Sequence, residues 1–452
     1  MMWKRIVWVL ALASASWAQT GMEGTWQGSL ARGKLRIGLQ ISKNETGEWT
    51  SMFYSIDQGS AGMPVKLTTV SGQTLHFEMP ARGIKYDGTL SADGQEIAGM
   101  LNQGAALPLI FKRVAKLDTL NRPQTPKGPF PYDAMEVSYE NNQGKLAGTL
   151  TVPHGSGPFP AAIMISGSGP ENRDEEVFGH QPFWVIADYL SRRGIAILRL
   201  DDRGVGGSGG SSQHQTMDQM AADVISGVDF LKARKEIDGK QIGVIGHSEG
   251  GTVGPLAASR SSDIAFVVML AGTGVTGDQL MYLQSELIDK ASGVPAQTTA
   301  QNRALQEMIF NIVRAEPDET KAIANFRVEW LKTHGSAPSA AAESQVKGVL
   351  LPEIRSFAFL DPAEALRKLK IPVLAMNGAR DLQVPPVQNL PAIAAALAAG
   401  GNTDFQIVEL PGMNHLFQSC RKGTPDEYGT IDETFSPIAL GVMGEWLARH
   451  VH

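Results

Sequence analysis

The rhythm of apolar residues changes once along this chain of 452 residues, and that change limits what each part can fold into. From Gly24 to about Val114 the pattern has period two: Leu35, Ile37, Leu39 and Ile41 alternate with Lys34, Arg36, Gly38 and Gln40. Such alternation marks a strand with one buried face. Thr50–Ile56, Thr74–Met79, Lys85–Leu90 and Leu107–Phe111 read the same way, between the turn sequences Asn44-Glu-Thr-Gly47, Ser91-Ala-Asp-Gly94 and Asn102-Gln-Gly104. Roughly eight short strands at this spacing predict a small antiparallel all-β domain over residues 19–120, closed as a barrel or sandwich. Its one histidine, His76, belongs to no catalytic pattern, and the domain reads as accessory.

Residues 121–132 carry Pro123, Pro126, Pro129 and Pro131, a stiff extended linker. Beyond it the apolar runs become continuous: Phe159–Ile165, Ile195–Leu200, Gln241–Ile245, Ile264–Leu270 and Ile371–Met376. Helical patterns separate them at Phe183–Arg193, Met217–Ala233 and Gly250–Ser259. Strands without alternation, interleaved with helices, predict a mostly parallel sheet with helices on both faces over residues 133–452. No such strand occurs at about 277–361, where Gln279–Lys290, Asn302–Val313 and Ala322–Lys332 read as helices of an inserted cap.

The first 18 residues read as an address. Lys4-Arg5 precedes the apolar stretch Ile6–Ala13, and small residues stand at Ser16 and Ala18. This is the pattern of a secretory signal peptide cleaved near Ala18, which predicts a secreted or periplasmic protein with no stable membrane anchor. Cys420 is the only cysteine, so neither an intrachain disulfide nor a cysteine-built zinc site is available. A net charge of −6 without a basic run argues against a nucleic-acid partner. No metal or cofactor motif is present; the glycine run at Gly204–Gly210 lacks the lysine of a phosphate loop.

Gly246-His-Ser248-Glu-Gly250 lies between a strand and a helix, the context in which G-x-S-x-G forms a nucleophile elbow. Gly206-Gly-Ser208-Gly-Gly210 matches the same five letters, but no strand end holds it, and Ser208 reads as part of a mobile loop. A serine hydroxyl needs a base, and the base an orienting carboxylate. Of His334, His415, His450 and His452, only His415 follows a strand-like run, Phe405–Leu410, through a turn. Asp381 directly follows Ile371–Met376 and is the acid of choice over Asp361, which reads as a helix cap, and Asp404. An oxyanion hole would draw on the backbone N–H of Glu249 and on Ser168 or Gly169 in the small-residue loop after Phe159–Ile165.

Ser166-Gly-Ser-Gly-Pro170 with Arg173-Asp174, Leu200-Asp-Asp-Arg-Gly204, the Ser248 elbow, Gly378–Pro386 and Leu410-Pro-Gly-Met-Asn-His415 follow one another in this order. Together they make the chain from about Asp133 onward resemble the α/β-hydrolase superfamily. The resemblance is strongest to secreted or periplasmic bacterial carboxylesterases related to the serine-aminopeptidase group. It implies the triad Ser248–Asp381–His415, no metal, and activity on short acyl esters. Ser166 departs from the pattern, standing where many relatives carry a histidine.

The leading expectation is therefore a serine carboxylesterase acting on a small-molecule ester without a cofactor. Phe310, Phe326, Trp330, Phe357 and Phe359 are available to shape an acyl pocket or to pack the cap. A second reading is an aminopeptidase, in which Glu171, Asp174, Glu175 and Glu176 bind a free α-ammonium; a solvated acidic helix start explains the same cluster. A third is a binding protein that uses the β domain, which is also a place for subunits of a homo-oligomer to pair.

Overall fold

A computed structural model describes residues 21–30, 35–59 and 62–451. The signal-peptide reading of residues 1–18 and His452 fall outside the described residues. Among them no helix is long and apolar enough to cross a membrane. The chain divides into two compact units, at Leu120 and Asn121.

The first unit contains, among the described residues, nine strands: β1 (Gly24–Leu30), β2 (Leu35–Lys43), β3 (Trp49–Ser55), β4 (Met63–Pro64), β5 (Leu67–Ser71), β6 (Thr74–Met79), β7 (Ile84–Leu90), β8 (Glu96–Asn102) and β9 (Ala106–Val114). They form an antiparallel meander in the order β4-β3-β2-β1-β9-β8-β7-β6-β5. The inward side chains are those the alternation picked out: Ile37, Leu39 and Ile41 are buried, with Trp26 opposite Leu39 and Leu39 opposite Phe53. The sheet curls so that its ends meet. Ser51 Oγ on β3 lies 2.7 Å from Thr68 Oγ1 on β5, and Val65 N–H donates to the Ser51 carbonyl at 3.0 Å. Tyr86, wholly buried, donates from its hydroxyl toward the carbonyls of Ile97 and Leu109, so its polar tip is satisfied inside the core.

The second unit opens with an antiparallel hairpin that the search for continuous apolar runs beyond the linker overlooked, β10 (Tyr132–Asn141) and β11 (Gly144–Pro153). Then come β12 (Phe159–Ile165), α1 (Pro182–Ser191), β13 (Ala196–Leu200), α2 (Met217–Lys232), β14 (Ile237–His247), α3 (Gly250–Ala258) and β15 (Val267–Leu270). The inserted segment holds five helices: α4 (Gly277–Ala291), α5 (Ala296–Ala315), α6 (Glu319–His334), α7 (Ala340–Leu350) and α8 (Pro352–Phe359). The chain ends with α9 (Pro362–Leu366), β16 (Val373–Gly378), α10 (Pro386–Ala399), β17 (Phe405–Leu410) and α11 (Pro437–His450).

The eight strands run in the order β10-β11-β13-β12-β14-β15-β16-β17, parallel from β13 to β17. Both faces are covered, which is why the strands lack alternation. Ile163 and Val244 pack with Val224 and Val228 of α2, while Met164 and Ile245 pack with Ile186 of α1 and Trp446 of α11. The insert has its own core around Ile309, Val313, Phe326 and Val346. Its two ends are pinched together: a Cβ on Gly277 would lie 2.6 Å from the Phe357 carbonyl oxygen.

The turn after β13 is fixed by buried charge. Arg203 donates to both oxygens of Asp223 on α2, at 2.7 and 2.6 Å, while Arg173 bridges Asp201 and Glu136. Removing one partner of such a pair strands a buried charge. Asp223→Ala is expected to lower the unfolding free energy of this unit by about 3–5 kcal/mol, checked by denaturant titration followed through tryptophan fluorescence.

Candidate active site

β14 ends at His247 and α3 begins at Gly250, so Ser248 and Glu249 alone make the turn between strand and helix. Its φ is 54°, a left-handed conformation that L-residues adopt at a cost of about 1–3 kcal/mol. The strain is held by neighbours on both sides: Ser248 N–H donates to the Leu270 carbonyl at 2.8 Å and Gly251 N–H to the Ser248 carbonyl at 3.0 Å. The flanking glycines answer to space. A Cβ on Gly246 would sit 2.0 Å from the Gly250 carbonyl oxygen, and one on Gly250 would sit 2.2 Å from that of Ile165.

Asp381 and His415 follow the adjacent parallel strands β16 and β17, and the sheet brings them together. His415 Nδ1 lies 2.8 Å from Asp381 Oδ2. Asp381 Oδ1 accepts the N–H groups of Gln383 and Val384, each at 2.8 Å, and Asn377 Nδ2 donates to Oδ2 at 3.2 Å. The carboxylate thus places the imidazole proton on Nδ1 and leaves the Nε2 lone pair as acceptor. Asn414 braces the loop by accepting from the Leu416 and Gln418 N–H groups. The other candidates lie elsewhere. Asp361 caps α9 through Ala363 N–H, Asp404 pairs with His450, and His334 stacks on Trp330.

Ser248 makes no hydrogen bond to His415 among the described residues; the two are joined through His247, the last residue of β14. His247 Nε2 donates to the His415 carbonyl at 3.0 Å, and the two rings lie 4.7 Å apart. Catalytic hydrogen bonds in unliganded enzymes are often formed only with substrate in place.

Ser248 and Glu249 share one cavity with Ser168 and Gly169, of about 490 Å³. The backbone N–H groups of Ser168, Gly169 and Glu249 donate to nothing among the described residues. That of Gly167 is taken, donating to Glu175 Oε1 at 2.8 Å. The lining also includes the apolar side chains of Met220, Leu280, Met281, Ile354 and Phe357 from α2, α4 and α8, beside the polar ones of Gln213, Gln215, Gln284, Glu353 and Gln383. Of the five cap aromatics only Phe357 lines this cavity; Phe326 and Trp330 pack inside the insert, and Phe310 packs with Tyr282 and Phe359.

Two expectations are corrected here. Ser208 belongs to a buried, pinned turn and not to a mobile loop: its hydroxyl donates to the Asp201 carbonyl at 2.7 Å and accepts from Ala147 N–H at 2.9 Å. The acidic cluster is neither a solvated helix start nor a set of free carboxylates, because α1 begins only at Pro182. Asp174 pairs with Arg199 and Glu175 with His247, which leaves Glu171, beside Gly169, and Glu176 without an ion-pair partner among the described residues.

Sequence reasoning named Glu171 but missed the carboxyls of Asp202 and Glu249, which line the cavity. Burial, reinforced by the Asp202 charge, pushes the Glu249 carboxyl up to about 7. Burial lifts Asp202 to about 6, and burial with the charges of Glu175 and Asp202 lifts Glu171 to about 7. A Glu immediately after the elbow serine was the available signal.

A carboxyl whose folded pKa is raised stabilises the fold fully below its unfolded value, and that contribution is lost as pH rises through the folded one. Glu249→Gln is therefore expected to raise Tm by about 2 °C at pH 8 and leave it unchanged at pH 4, checked by differential scanning fluorimetry. Gly246→Ala and Gly250→Ala are expected to cost on the order of 100-fold or more in turnover by displacing Ser248, measured as initial rates on a chromogenic ester.

Comparison with known proteins agrees with this architecture. The serine aminopeptidase S33 family profile matches residues 183–330. The chain is 30% identical over 376 residues to Esterase EstD of Thermotoga maritima, covering 80% of this chain and 79% of that protein. An uncharacterized 31.7 kDa protein of Escherichia coli is 25% identical over 322 residues, covering 70% of this chain and all of that one. Among solved structures, the Pyrococcus furiosus esterase Pf2001 is similar at a TM-score of 0.43 and 18% identity, over 71% of this chain and 94% of that one. At the identity and coverage shared with EstD, the chain belongs to the α/β-hydrolase family.

Proposed function

We propose that this α/β-fold esterase is a serine carboxylesterase, with Ser248 as nucleophile, His415 as general base and acid, and Asp381 as the carboxylate that orients the base. The observation that carries this reading is the strained Ser248 on the wall of a cavity, one residue from the side chain that holds the Asp381-paired His415. Resemblance to EstD supports the choice of esters.

In the proposed reaction Ser248 Oγ bonds to the ester carbonyl carbon as its proton passes to His415 Nε2. Asp381 stabilises the imidazolium so formed. The oxyanion accepts from the N–H groups of Glu249 and of Ser168 or Gly169, which carry no competing acceptor. Collapse breaks the bond to the alcohol, which leaves with the proton from His415. Water then attacks the acyl-enzyme and gives a proton to His415; collapse breaks the acyl–Oγ bond, releasing the acid, as His415 returns that proton to Ser248 Oγ. The Leu280, Met281 and Phe357 side of the cavity suits a short acyl chain. The reading includes export, with cleavage near Ala18.

An aminopeptidase reading is favoured by one observation, the carboxyl of Glu171 beside Gly169. The same assay separates the two. Purified protein is expected to hydrolyse p-nitrophenyl acetate and butyrate faster than the octanoate and to spare aminoacyl p-nitroanilides. Ser248→Ala and Asp381→Asn are each expected to reduce kcat by on the order of 10⁴-fold. Ester turnover unchanged in Ser248→Ala would reject the triad, and Ser248-dependent anilide cleavage would replace the esterase with the peptidase.

A further inference from the structure

Glu175 and His247 lie outside the proposed triad yet touch three of its segments. Glu175 Oε1 accepts from Gly167 N–H in the oxyanion loop at 2.8 Å and lies 2.8 Å from His247 Nδ1. His247 Nε2 reaches the His415 carbonyl at 3.0 Å. We infer that the Glu175–His247 ion pair is the positioning device of the site, tying the oxyanion loop and the His415 loop to the peptide that carries Ser248. The inference rests on the reading of Ser248 and His415 as nucleophile and base.

Both ring nitrogens of His247 face oxygen acceptors, so both are protonated when both bonds are made. A neutral imidazole has one N–H and holds only one of the two. Burial among Phe183, Leu416 and Phe435 disfavours the imidazolium, but the Glu175 carboxylate beside it, the His415 carbonyl and the charge of Asp381 outweigh burial and hold its pKa at about 9. Glu171 is the other carboxyl within electrostatic reach. Among the described residues no lysine or arginine pairs with Glu175, so His247 is its charge partner. Glu175 itself has φ of 50°, a left-handed backbone that a non-glycine residue holds at a cost.

The geometry explains why a second brace is needed. Asp381 fixes the rotation of the His415 ring, but both sit on loops that follow β16 and β17, and neither hydrogen-bonds to Ser248 among the described residues. The bond from His247 sets the distance, since His247 is covalently joined to Ser248. A displacement of about 1 Å at such a site costs on the order of 100-fold.

The clamp is fully formed below the unfolded His pKa near 6.5 and is lost as pH rises through about 9. The test is the pH profile of kcat on p-nitrophenyl acetate, with tryptophan fluorescence to follow folding. Glu175→Gln keeps an acceptor for Gly167 but removes the charge. It is expected to lower kcat at pH 8 on the order of 10- to 100-fold with KM within about threefold, and to move the alkaline limb from near 9 toward 6.5. His247→Gln, which retains a donor toward the His415 carbonyl, is expected to recover part of the kcat lost in His247→Ala and to have no limb near 9. Wild-type protein labelled with 15N-histidine is expected to contain one doubly protonated buried ring at pH 8 that titrates near 9. A Glu175→Gln variant within twofold of wild type, with its limb unmoved, would overturn the proposal while Ser248→Ala remained inactive. So would a His247 ring that is singly protonated at pH 8, whether or not the variants fold. Full turnover in Ser248→Ala removes instead the triad on which the proposal rests.

Discussion

The catalytic unit depends on one close approach of backbone to backbone. Gly250 at the start of α3 comes so near the carbonyls of Ile165 and Ser166 that no Cβ fits there, and Gly246 meets the same limit from the other side of the turn. That contact is what bends the chain through a left-handed serine instead of letting β14 run into a relaxed loop. It also brings the end of β12 alongside the elbow, so that Gly167 stands a Cβ contact of 3.4 Å from the Ser248 side chain. The small residues of the loop after β12 and the glycines of the elbow are therefore one constraint expressed in two places. Strain at Ser248 persists because the surrounding packing leaves no alternative.

Charge is distributed around this contact in two styles. Away from the cavity, carboxylates are paired: Asp223 with Arg203, Asp201 with Arg173, Asp174 with Arg199. These pairs hold the turn after β13 and the segment leading to α1. Asp202 and Glu249 on the cavity wall, and Glu171 beside Gly169, have no ion-pair partner among the described residues, and burial raises their pKa values into the range of 6 to 7. The site therefore gains negative charge as pH rises through neutrality, next to the atoms where an oxyanion would develop. The imidazolium proposed for His247, within the elbow itself, is neutralised by Glu175 beside Gly167.

Much of this was legible before any coordinates, for identifiable reasons. The run Phe159–Ile165 coincides with β12 because both faces of that strand are covered by helices, so every position is apolar. The pairing of Asp381 with His415 follows from each standing just past a strand of the same parallel sheet. The hairpin β10–β11 escaped because it sits at the sheet edge, where Met135, Val137 and Tyr139 alternate with Glu136, Ser138 and Glu140 among runs sought for continuity. Helix α7 escaped because it buries deeply only Ala342 and Val346, too little for a periodic signal. Glu175 and His247 are 72 residues apart, and their meeting depends on how the loop after β12 folds over the elbow. No local pattern records such a contact.

The pinched neck of the insert has a consequence for how this scaffold can change. Gly277 and Phe357 hold the first and last of the five helices against each other, so the sheet sees the entire insert as a short connection between β15 and β16. The entropy of closing a loop grows only logarithmically with its length, and here the closure is already made at the neck. Residues may be gained or lost in α5, α6 and α7 without altering the span that the sheet must bridge. The insert's share of the cavity wall, by contrast, comes from α4 and α8, the two helices at the neck itself. Divergence in the distal helices is thereby mechanically insulated from the cavity that Ser248 lines, whereas any drift at the neck reshapes it at once.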